Sequence, residues 1–164
     1  MAANEPAAQT AARLAAVMNE ESVTLRTALS HLHAERTALE SGEVDNLAVI
    51  AARKSEAYGR LAQLGDARVA LLARAGVKPS RAEIEALFDG APEWAVCRQP
   101  FAELTGLARE AHDLNQANGV LIRAQMKSSQ QALAVLMSAS EQASTYGPDG
   151  QSMMRGSSRS LGSA

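Results

Sequence analysis

Few side chains in this 164-residue sequence could do covalent or metal chemistry: three His, one Cys, and acidic and basic residues in near balance. His31 and His33 stand two apart. On a helix they point to different sides and cannot form an i, i+4 metal pair. His112 stands alone. No Glu-x-x-His pattern occurs, which argues against a di-iron bundle. There is no Gly-rich phosphate loop and no Cys-x-x-Cys. A phosphorelay bundle uses one exposed His on a helix, and His33 is the candidate, but a solvated helix-face His is the plainer reading. Cys97 reads as a small buried apolar residue rather than a nucleophile. Charged neighbours such as Glu35, Arg36 and Glu40 read as a solvated helix face. No catalytic set, metal site or cofactor is implied, and the chain does not read as an enzyme.

The informative residues are amides and apolar groups. Asn115 and Asn118 lie one helical turn apart in LNQANGVLI. Amides on a packing stripe cost stability unless hydrogen-bonded. Two readings stand: register-setting groups inside a bundle, or groups lining a groove and bonding to a partner. Gly119 follows directly, and a mid-helix Gly suits close approach of another helix. Further on, Ile122, Met126, Leu133, Leu136 and Met137 form a Met- and Leu-rich face. Such a face is either core or, if exposed, a place for an amphipathic helix from another protein. Tyr146 opens a turn sequence, Thr145-Tyr146-Gly147-Pro148-Asp149-Gly150, that suits a docking element ordering on binding.

These residues need long helices to position them. From Pro100 to about Ser144, positions Phe101, Leu104, Ala108, Ala111, Asn115, Asn118, Ile122, Gln125, Ser129, Ala132 and Leu136 alternate in steps of three and four. That is the stripe of one long helix, about 65 Å at 1.5 Å per residue, against which the rest of the chain packs. A first helix is expected from Ala7 or Ala8 to about Ser41, with Met18, Leu25, Leu32 and Leu39 every seven residues. Gly42 ends it, and Asp45 is placed to cap the next. The second helix, Asn46 to Ala75, has the cleanest stripe: Leu47, Ile50, Lys54, Ala57, Leu61, Leu64, Arg68 and Leu71. Lys54 and Arg68 interrupt it with stems on apolar surface and heads reaching water. Gly76 stops it, and the short connection makes an antiparallel hairpin. Ser80 with Glu83 is a capping-box pattern that opens a short helix from Arg81 to about Phe88. Glu93 to Arg98 reads as a helical turn carrying Trp94. Pro100 marks a break or kink before the long helix.

The expected fold is therefore all-α: an antiparallel helical hairpin and a short helix packed along one long C-terminal helix. Residues 1–143 form one helical domain and residues 144–164, rich in Gly and Ser, a flexible tail. Aromatic residues make up 3%, so the core is built from slender helices rather than large rings. A net charge of −2 gives no reason to expect nucleic acid or an anionic membrane as partner. One Cys suits a reducing compartment, and no apolar run is long enough to span a bilayer. A soluble cytoplasmic protein is expected.

The pattern Asn115-x-x-Asn118-Gly119-x-Leu121-Ile122, the Ala- and Leu-rich helix after it and the turn around Tyr146 resemble the FlgN-type flagellar export chaperones. LESGEVDNLAVIAARKSEAYGRL resembles that family's hairpin, and Trp94 precedes the long helix as is usual there. The resemblance covers about residues 14–150. It implies a cytoplasmic chaperone that binds the amphipathic C-terminal segment of the hook-filament junction proteins, FlgK and FlgL, and presents them to the flagellar type III export gate. The client helix is expected along Ile122, Met126, Leu133, Leu136 and Met137, with Asn115 and Asn118 fixing its register and Tyr146 facing client or gate. A weak homo-oligomer is allowed when client is absent. The rival is a self-associating helical scaffold built on the same stripe.

Overall fold

The computed structural model describes residues 7–145, with side chains for residues 7–141. Its helices are α1 (Ala7–Ser41), α2 (Leu47–Arg74), α3 (Arg81–Gly90) and α4 (Arg98–Thr145); 3-10 turns at Val44–Asn46 and Pro92–Cys97 lead into α2 and α4. No strand occurs among the described residues, and the fold is all-α. The chain divides into two units, Met1–Leu121 and Ile122–Ala164.

The first unit is organised around α1, not around the long helix. Leu14, Met18, Leu25, Ala28, Leu32 and Leu39 are buried along one line, and Ala15, Ser22 and Leu29 along a second beside it. A helix buried over so wide a face has neighbours on two sides. In contrast, α2 buries mainly one stripe: Ala57, Leu64 and Leu71 are buried, and Leu47, Ile50, Lys54, Leu61 and Arg68 half-buried, with Leu72 buried beside it at the C-terminal end. That stripe follows the expected positions residue for residue. Side chains from α1, α2, α3, the second 3-10 turn and the start of α4 share one core.

Local signals explain the breaks. Gly42 and Gly76 adopt φ of 76° and 75°, the left-handed conformation that favours Gly after a helix. Behind them the Glu43 N–H donates to the Ala38 carbonyl and the Val77 N–H to the Leu72 carbonyl, both at 3.0 Å, closing a Schellman motif at each end. Asp45 does not cap α2. It lies inside the 3-10 turn, and the residue before α2, Asn46, makes no side-chain cap bond. The Ser80 hydroxyl accepts from the Glu83 N–H at 3.4 Å, as the capping pattern requires. The Glu83 carboxylate reaches back past Ser80 by two residues, to accept from the Lys78 N–H at 3.0 Å.

Where α3 ends, its last carbonyls lack helical partners. The Arg98 guanidinium donates to the Phe88 carbonyl at 3.0 and 3.2 Å and pairs with Asp89 at 3.0 Å. One cation thus ties the end of α3 to the start of α4. Pro100, third residue of α4, sits where its missing N–H costs no helical bond. Phe88 and Phe101 meet edge to face with centroids 5.6 Å apart, and Trp94 is buried beside this end of the core. Cys97 is fully buried, its thiol donating to the Ala11 carbonyl at 3.3 Å, and burial pushes its pKa up to about 11. It is a packing residue, inert at neutral pH.

Candidate partner-binding surface

The hairpin contains two ionic layers. Lys54 on α2 donates to both oxygens of Glu35 on α1 at 2.7 and 2.8 Å. Arg68 reaches both oxygens of Glu21 at 2.9 and 3.1 Å. Glu21 and Glu35 are buried at 3% and 6% exposure, so the heads of Lys54 and Arg68 end on buried carboxylates rather than in water. Arg36 and Glu40 do pair on the solvent side as expected, but Glu35 belongs to the core. Burial pushes the Glu21 carboxyl above its ordinary range, with the Arg68 charge opposing. A signal for these layers was present: the two acids stand fourteen residues apart on α1, the two cations fourteen apart on α2. Two heptads separate each pair, so an antiparallel register that matches one layer matches the other.

Asn118 joins the inner layer. It is 1% exposed and its Nδ2 donates to the Leu32 carbonyl at 2.8 Å and to Glu35 at 2.9 Å. Of the two readings of this amide, the structure selects the internal one, a link between α4 and α1. Asn115 is exposed. The inward line of α4 in this unit runs through Leu104, half-buried Leu107, Ala111, Leu114 and Asn118, not through Ala108 and Asn115. Both lines have helical spacing, but covering Leu107 and Leu114 removes more apolar surface from water than covering Ala108 and Asn115. Gly119 is half-buried. Thus the two asparagines are separated, one in the core and one in solvent.

In the second unit the described side chains belong to one helical stretch, and its large apolar groups face water. Ile122 is 36% exposed, Met126 57%, Leu133 58%, Leu136 67% and Met137 58%. At 3.6 residues per turn these five fall on one face; Val135, 66% exposed, falls on the other. Their spacing alone groups the five but leaves open whether they are core. Tyr146, with its turn and the tail after it, lies outside the described residues.

Among the described residues no cluster of His, Cys, Asp or Glu could hold a metal. His33 and His112 are exposed, and the latter's Nε2 lies 2.9 Å from the Gln116 side-chain nitrogen. No described helix is long and apolar enough to cross a membrane. What the second unit offers is an apolar helical face, which suits recognition rather than catalysis.

A family model, FlgN protein, matches residues 1–153. The chain belongs to the FlgN family. That covers nearly all of the sequence, including both units' described residues. No curated protein and no solved structure matches it. FlgN proteins are flagellar export chaperones, not enzymes, and the all-α architecture with an apolar helical face accords with that role.

Proposed function

We propose that this FlgN-family chain works in the cytoplasm, holding the amphipathic C-terminal segment of the hook-filament junction proteins FlgK and FlgL and handing them to the flagellar type III export gate. The observation that carries this reading is the exposed apolar face formed by Ile122, Met126, Leu133, Leu136 and Met137. A monomer that leaves such residues in water has a partner for them. An amphipathic client helix supplies the matching face, and the adaptable Met side chains let one surface accept two related clients. Tyr146 follows this helix and contacts either client or gate.

The test is Leu133→Ser with Leu136→Ser. Each Leu is more than half exposed in the free chain, so folding is unaffected. Covering each in a complex contributes about 1.5–2 kcal/mol, so the double variant loses about two to three orders of magnitude in affinity for the C-terminal segments of FlgK and FlgL. Calorimetric titration measures it. Unchanged affinity rejects this placement of the client. A stable oligomer that buries the face and does not dissociate for client, seen by light scattering, favours the scaffold reading.

A further inference from the structure

The charges beside the apolar face are distributed unevenly. Residues 122–141 contain three charged side chains: Arg123, Lys127 and Glu141. Arg123 and Lys127 are exposed and stand at i, i+4, where like charges destabilise a helix. Neither has a carboxylate three or four residues away, since positions 119, 120, 124, 126, 130 and 131 are Gly, Val, Ala, Met, Gln and Gln. Two exposed helical cations of the first unit are answered at that same spacing, Arg36 by Glu40 and Arg81 by Glu85, each at 2.8 Å, and two more, Arg26 and Arg60, by Glu103 and Glu20 on another helix. Each unanswered cation directly follows a residue of the apolar face, Ile122 or Met126, so both lie along one flank of it.

We propose that the segment docking here is an amphipathic helix with Glu or Asp along the flank that meets Arg123 and Lys127. The inference rests on the chaperone reading above and specifies the chemistry of its client. Apolar groups at helical spacing select a helical partner. Flanking charges fix its register and direction, as they do beside a coiled-coil seam. An acidic flank also relieves the repulsion between the two cations, which a basic flank increases.

The experiment uses the full chain and two fluorescently labelled peptides of about eighteen residues, long enough to span the face. They share one Leu and Ala stripe. One carries Glu along a flank, the other Lys. Anisotropy titration should show the Glu peptide binding about fivefold or more tightly at low salt, with the advantage shrinking as salt screens the exposed charges. Arg123→Glu with Lys127→Glu should reverse the preference while leaving the circular dichroism melt in place. Equal affinity for both peptides, or a preference that survives the double reversal, overturns the acidic-client inference. In that case the chaperone reading stands if Leu133→Ser with Leu136→Ser still abolishes binding. If neither peptide binds and the FlgK and FlgL segments do not bind either, the chaperone reading fails and the inference with it.

Discussion

Replacing Lys54 by Met tests whether the inner ionic layer holds the first unit together. Lys54 is 16% and Glu35 8% exposed at the side chain, with the ammonium 2.7 Å from the nearer oxygen. At an effective dielectric constant of 20 the gross attraction is about 6 kcal/mol. Removing two ions from water costs several kcal/mol each, so the intact pair contributes little net stability. Breaking it is different. Lys54→Met would leave the Glu35 carboxylate buried with the Asn118 amide as its remaining hydrogen-bond donor. Removing one partner of a buried pair costs about 3–5 kcal/mol, and the residual exposure of Lys54 places this case near the lower figure.

With a urea slope of about 2 kcal/mol per molar, the unfolding midpoint should fall by about 1.5 M. Circular dichroism at increasing urea reads it directly. Adding Glu35→Leu should restore part of the loss, since the charge is gone but one Asn118 N–H is left unpaired. Adding Asn118→Leu as well should return stability to the wild-type value or above it. A Lys54→Met midpoint within about 0.3 M of wild type refutes the reasoning, because it means water screens the layer and the register has another source.

Three further outcomes follow from the same structure. The Glu21 carboxyl is raised, mainly by burial and against the Arg68 charge, so the folded chain holds its proton more tightly than the unfolded one. The contribution of Glu21 is present below the ordinary carboxylate pKa, about 4.3, and is lost as pH rises through the higher folded value. Urea midpoints of wild type should therefore decline relative to Glu21→Gln from about pH 4 upward; a difference that does not vary with pH counts against it. The helical Gly59 has open space where a Cβ would go, so Gly59→Ala should stabilise by about 0.5–1 kcal/mol. Gly76 has the same open space but a φ of +75°, so Gly76→Ala should destabilise by about 1 kcal/mol. Both are read from the same urea midpoints, and equal signs would contradict the backbone argument.

The helices, the turns and much of the hairpin were legible in the residues alone. Periodicity marked the α2 stripe, because a helix buried against one neighbour shows one clean line. Gly42, Gly76 and Ser80 marked breaks through chemistry local to a few residues, which needs no long-range information. The family likeness rested on LESGEVDNLAVIAARKSEAYGRL and on the stretch from Asn115 to Ile122, both legible as strings. The five apolar residues from Ile122 to Met137 were grouped by spacing alone.

Packing in three dimensions settled which helix is central, which face of α4 is buried and where the charges go. Periodicity shows that a helix has an apolar face but leaves its phase open by a residue, and Leu107 with Leu114 took the place given to Ala108 with Asn115. Nothing local tells Glu35 that Lys54, nineteen residues on, will meet it. That depends on the antiparallel register of α1 and α2, fixed by packing along the whole hairpin. The exposure of Leu133 and Leu136 is likewise a property of what surrounds them, because a Leu at helical spacing reads the same whether it faces a core or water.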